Sequence, residues 1–197
     1  MPLYRTIPLL IFTTFFWFLS TLVHADFKAG MDAYDRGDYE AAIKEIRPLA
    51  EQGRADAQFN LGVMYANGQG ESQDHAEAVR WYRLAAEQGF VLAQYNLGLM
   101  YAHGQGVPQD YGEALRWYHL AAEQGDADAQ LNLGVMYVKG QGVLQDYVQA
   151  HMWANLGAAQ GDKDSAMLRD HLVEIMTFEQ IAEAQRLARE WLAQHQK

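Results

Sequence analysis

The sequence predicts an all-α solenoid of about five helix hairpins, and three observations lead there. NLGVMYANGQG at 60–70 returns as NLGLMYAHGQG at 96–106 and as NLGVMYVKGQG at 132–142, a spacing of 36 residues both times. A period in the thirties marks stacked repeats. Within each block the recurring apolar and small residues fall at helical spacing: Ala57, Leu61 and Tyr65 lie four apart, and Ala78, Trp81 and Ala85 stand at i, i+3 and i+7. Finally, an aspartate precedes the second set in every block, at Asp74, Asp110 and Asp146, with Glu77, Glu113 or Gln149 three residues on. That pattern predicts a capping box at the start of each second helix.

Residues 1–25 have the build of an export signal rather than of a folded element. Arg5 supplies one positive charge, the run LLIFTTFFWFL from Leu9 to Leu19 is apolar, and Val23-His24-Ala25 offers small residues before a cut ahead of Asp26. The run falls short of the about 20 apolar residues that a membrane-spanning helix needs. Cleavage after Ala25 and a periplasmic or secreted product are expected, with an uncleaved N-terminal anchor as the alternative. Removal of Arg5 takes the net charge from −10 to −11. Such a charge repels nucleic acid and anionic membrane surfaces, so neither is expected as a partner beyond the export step. Zero cysteine excludes disulfides, thiolate metal sites and thiol nucleophiles together.

After the signal, 26–53 keeps Tyr34, Gly37, Ala42 and the closing Gly53 but lacks the G-x-G insertion, as a capping hairpin would. Blocks 54–89, 90–125 and 126–161 then align without a gap, each predicting two helices. Gly62 and Ala78 are small enough for the two helices to approach closely, while Trp81 and Tyr65 would fill the space between units. Gly68, Gly104 and Gly140 follow the last periodic residue of each first helix, where a chain leaving a helix often takes positive φ. A dinucleotide-binding G-x-G-x-x-G reading fails, because the sixth positions are Gln73, Gln109 and Gln145 and no strand precedes them. The segment 162–197 reads as two capping helices, Lys163–Met176 and Phe178–His195, with Thr177 and Gln180 as a further capping box. Ten helices and no strand are expected.

The pattern A, L-G, Y, G-x-G, D, A, W and A-A-x-x-G, met at nearly every position from Arg54 to Gly161, resembles the Sel-1-like repeat branch of the tetratricopeptide superfamily. The resemblance implies a right-handed α/α solenoid acting as an adaptor or scaffold. It also marks the 26–53 hairpin as similar to a plain tetratricopeptide unit. Many exported members of that branch staple each hairpin with a disulfide, and this cysteine-free chain departs from them.

Candidate chemistry is thin. His103 occupies a loop slot held by Asn67 and Lys139 elsewhere, and His119 replaces Arg83 and Asn155, so both read as surface substitutions. His151 stands where Val79 and Leu115 stand and reads as a buried histidine satisfied by hydrogen bonds, with no second ligand at i+3 or i+4. Ser72 and Ser165 sit in neither G-x-S-x-G nor S-x-x-K. Glu87 and Glu123, with their glutamine neighbours, read as solvated helix ends. No catalytic residue, metal site or cofactor is expected.

The remaining signal is geometric. With Leu61 and Tyr65 facing inward, Phe59 and Val63 point to the opposite side of the first helix, with Asn60 on its flank. Tyr95, Asn96 and Leu99 repeat the arrangement, as do Leu131, Asn132 and Val135. Two readings stand for Val63, Leu99 and Val135: buried between neighbouring helices, or lining a groove. Phe59 and Tyr95 favour the groove, since stacked solenoids bind along such a surface. The asparagines either orient an extended peptide or bond to the neighbouring helix. The expected function is an exported protein–protein adaptor for an unidentified protein or peptide, with an envelope hydrolase or glycan-handling protein as the alternative.

Overall fold

The computed structural model describes residues 26–195; the expected export signal lies outside the described residues. Ten helices follow in order among them, with no strand: α1 Phe27–Asp35, α2 Tyr39–Glu51, α3 Ala55–Asn67, α4 His75–Glu87, α5 Val91–His103, α6 Tyr111–Glu123, α7 Ala127–Lys139, α8 Tyr147–Ala159, α9 Lys163–Ile175 and α10 Phe178–His195. Helices α1/α2, α3/α4, α5/α6 and α7/α8 pair as hairpins, and each hairpin stacks on the next through its second helix.

The small residues set the approach distance within a hairpin. A Cβ added at Gly98 would lie 2.6 Å from the Tyr118 ring, and one at Gly62 would lie 2.7 Å from Tyr82. In the third repeat Ala154 replaces that tyrosine, and Leu168 of α9 reaches Gly134 instead. Ala57, Ala93 and Ala129 and Leu61, Leu97 and Leu133 are fully buried, and Trp81, Trp117 and Trp153 are 5%, 3% and 2% exposed. The tryptophan row therefore belongs to the core.

Each second helix starts as the aspartates predict. Asp110 Oδ1 accepts from Gly112 N at 2.9 Å and Glu113 N at 3.0 Å, and Asp74 and Asp146 do the same. A cap of this kind contributes about 1 kcal/mol. The returning half of the expected box is absent at these three positions. The aspartate amides donate instead to Tyr65, Tyr101 and Tyr137 carbonyls, 3.0 Å away, so the loop is tied back to the preceding helix. Glu77 and Glu113 are thereby released to pair with Arg80 and Arg116. Only at Thr177 and Gln180 do both arms form.

The two glycines of G-x-G have different tasks. Gly68, Gly104 and Gly140 close the first helices in the left-handed conformation, with φ of 67°, 66° and 65°. The second glycine also has positive φ, and it presses on the previous hairpin. A Cβ at Gly70 would lie 2.5 Å from the Tyr39 carbonyl oxygen, and Gly106 and Gly142 abut the His75 and Tyr111 backbones in the same way. This second glycine is thus an inter-unit contact point as well as a turn residue.

A glutamine ladder also joins the units. Gln94 Nε2 donates to Ala86 O of the preceding hairpin at 3.1 Å, and its Oε1 accepts from Gln124 Nε2 at 2.8 Å. Gln58 with Gln88 and Gln130 with Gln160 repeat the arrangement. Gln58, Gln94 and Gln130 are almost fully buried, so these amides need such partners to avoid a desolvation cost.

The C-terminal pair departs from the hairpin rule. Helix α9 packs on α8 and α7, and α10 returns to lie on α8 rather than on α9. In the internal units the corresponding outer positions are Arg80 and Leu84, then Arg116 and Leu120, all exposed to solvent. In α8 they are Met152 and Leu156, buried under Leu187, Ala188, Trp191 and Leu192. On α9, Arg169 and Asp170 stand where α7 has Leu133 and Gly134, so polar side chains replace the packing residues at these two places.

Candidate functional site

Along α3, α5 and α7 the predicted surface residues fall on one repeated stripe. Phe59, Tyr95 and Leu131 are half-buried, as are Val63, Leu99 and Val135 and the three asparagines. The Phe59 ring packs against Tyr82 and Phe90, with centroids 5.9 and 5.2 Å away, and Tyr95 packs against Tyr118 at 6.0 Å. Val63 and Leu99 lean on the core between units. These side chains thus wedge hairpins together with one part and meet solvent with another.

The asparagines bond within their own helices, a geometry that neither expectation for them contained. Asn60, Asn96 and Asn132 Nδ2 donate to the carbonyls of Asp56, Leu92 and Asp128, each at 2.8 Å and four residues back. One amide proton is committed in each case. Beside this row, burial raises the Tyr95 hydroxyl above its ordinary value, Asp128 and Asp126 add to the rise, and contact with Asn132 opposes it. Asn132, Val135, Tyr118, His103 and Lys139 line a cleft of about 230 Å³ next to α7.

Two readings of polar residues need correction. His151 is 1% exposed, but its Nδ1 has no hydrogen-bond partner. Burial pushes its pKa below the ordinary histidine value, Arg169 acts in the same direction, and Asp170 opposes them. The alternation that placed it at a core position could not supply a partner. Gln88 and Gln124 are exposed at the helix ends, as read, and each also donates an amide proton to its buried partner, Gln58 or Gln94. Glu123 is likewise engaged: its Oε2 accepts from Trp191 Nε1 at 3.2 Å and faces His195 Nε2 at 3.0 Å, joining α6 to α10. A contact across 68 residues leaves no local sequence signal. His119 also meets this corner, edge-on to Trp153 at 5.4 Å and 3.9 Å from Glu123 Oε1. Among the described residues no group of three histidines or carboxylates is arranged to hold a metal ion.

The repeat geometry agrees with a family model described as Sel1 repeat, matched at residues 55–90, 91–126 and 127–162. The chain belongs to the Sel1 repeat family. Among solved structures it is similar to a protective antigen present in uropathogenic Escherichia coli strains that displays an SLR fold, with 42% identity and a TM-score of 0.68. That match covers 72% of this chain and 32% of the other. A Sel1 repeat protein from Oxalobacter formigenes matches with 37% identity and a TM-score of 0.65, over 69% of this chain and 54% of the other. An exopolysaccharide production negative regulator of Rhizobium leguminosarum bv. viciae is 41% identical over 51 residues, which are 26% of this chain and 19% of that protein. This Sel1 repeat chain thus spans about a fifth of the length of that curated relative.

Proposed function

We propose that this Sel1 repeat protein is an exported adaptor or scaffold that holds a protein or peptide partner across α3, α5 and α7, and that it acts by binding alone. The observation that carries the reading is the stripe itself. Three helices present the same asparagine, fixed by the same 2.8 Å bond, beside a position that changes from Phe59 to Tyr95 to Leu131. The constant element suits a feature common to any extended chain, since each asparagine keeps a carbonyl oxygen, and Asn60 and Asn96 a second N–H, for an incoming backbone. The varying element suits side-chain selection. Capture of a partner from an envelope extract by residues 26–197 supplies the ligand for the test. Tyr95→Ala and Asn96→Ala should each weaken binding by about 1 kcal/mol or more, with melting temperature as the control for folding. Normal binding by both variants would place the partner elsewhere.

The address is tested separately. Expressed in a bacterial host, the exported chain should begin at Asp26 on N-terminal sequencing, and a cytoplasmic product that still begins at Met1 would remove the export part of the reading.

A further inference from the structure

The C-terminal ends of α6, α8 and α10 converge on one cleft of about 720 Å³, lined by Glu123, Gln124, Leu156, Gln160, Trp191 and His195 among others. We propose that this cleft binds a cation on an aliphatic stem, a guanidinium or ammonium group, on a surface distinct from the α3–α5–α7 stripe. Residues at the C-terminal ends of all three helices line the same space, and each end brings the negative pole of a helix dipole toward it. Glu123 adds a carboxylate, and the chain as a whole carries a net charge of −10. The walls are suited to a stem, because Leu156, Leu192, Ala159 and the Trp191 ring supply apolar surface beside the charged end.

His195 shows the chemistry that the cleft accepts. Its Nδ1 lies 2.8 Å from the Trp191 carbonyl and its Nε2 lies 3.0 Å from Glu123 Oε2. The Glu123 carboxylate can only accept, so the ring meets it with an N–H. The ring is stacked on Trp191 with centroids 4.0 Å apart. The corner is thus organised around a planar N–H donor against Glu123, and an arriving guanidinium repeats that arrangement at the other carboxylate oxygen. Among the described residues, Glu123 Oε1 has only His119 Nδ1 nearby, at 3.9 Å, beyond hydrogen-bond reach. Gln124 and Gln160 have committed their amide nitrogens to the ladder, which leaves their carbonyl oxygens to accept.

The test uses ¹⁵N-labelled protein and the indole N–H signal of Trp191, titrated with n-butylguanidinium and with n-butylurea, a planar isostere without the charge. Binding by butylguanidinium should saturate in about the millimolar range and weaken with added salt, with butylurea at least about tenfold weaker. Ala159→Lys, which brings a tethered ammonium to the rim and leaves the Glu123 contacts intact, should abolish the titration. Glu123→Gln should weaken it by about tenfold. Equal shifts with butylurea, the absence of a saturable shift, or wild-type binding by Ala159→Lys would each overturn the proposal. A blocked arginine amide separates the sources of the cation. Binding at least as tight as that of butylguanidinium points to a partner's basic side chain, and binding of butylguanidinium alone points to a small diffusible cation. Tyr95→Ala and Asn96→Ala should leave this titration unchanged, so failure here and failure of the stripe are separate results.

Discussion

His151 and Leu115 occupy equivalent places in successive units, and the difference between them is a difference in pH response. The imidazole is buried without a partner for Nδ1, and burial together with Arg169 lowers its pKa in the fold. An unfolded chain has an ordinary histidine there, with a pKa of about 6.5. As pH falls through that value the unfolded state takes up a proton that the folded state refuses, so stability is present above it and is lost below it, down to the lowered folded value. His151→Leu, the residue found at this place in α6, should flatten the decline in denaturation midpoint between about pH 7 and pH 5. An unchanged slope would mean that other groups set the acid limit. The same residue shows how far the sequence could be read. Its place in the core was legible because Val79 and Leu115 share the register, but the lack of a partner depends on what α9 presents, and no spacing records that. The G-x-G glycines divide in the same way. The helix-closing role of Gly104 follows from its position after a periodic run, whereas the pressure of Gly106 on the His75 backbone is set by the neighbouring hairpin.

At the scale of the element, α10 was legible as a helix and not in its placement. Its apolar residues predict an amphipathic segment, and a repeat protein suggests a hairpin with α9. The observation that decides otherwise sits on another helix: α8 has Met152 where α4 and α6 have Arg80 and Arg116, and its Leu156 is 2% exposed against 36% and 40% for Leu84 and Leu120. An apolar outer face in one unit of three marks the place where something must cover it. Deletion of residues 177–197 should therefore uncover Met152 and Leu156, lower the melting temperature and produce binding of a hydrophobic dye. Adding Met152→Arg to the truncated chain should reduce the dye signal, because the other units carry arginine there without a covering helix. A truncated chain that melts like the full one would show that α10 contributes no packing to α8.

At the scale of the whole molecule, stability is carried by contacts between neighbours rather than by one central core. The internal hairpins exchange the same three sets of contacts: a buried glutamine donating to a carbonyl of the preceding hairpin, a second glycine against the preceding helix start, and the alanine and leucine faces. Such a stack behaves as a sum of unit terms and interface terms. A copy of residues 90–125 inserted after Gly125 would bring its own terms and one further interface, since Gly125 then meets Phe90 in the same Gly-Phe junction that Gly89 makes now. The inserted Phe90 stands where Asp126 stands at present. Burial raises the carboxyl pKa of that aspartate, so the replacement also removes a partly desolvated charge from the site. The Ala129 amide capped by Asp126 stays with the third unit, whose own Asp126 is retained. The lengthened chain should melt at a higher temperature than the parent, show the same helicity per residue and scatter as a longer particle. The repeated stripe would gain a second Tyr95–Asn96–Leu99 set in register. A lower melting temperature, or scattering from two separately mobile bodies, would show that the interface between units two and three depends on residues particular to that junction. In that case the period seen in the sequence would describe shape more than energy.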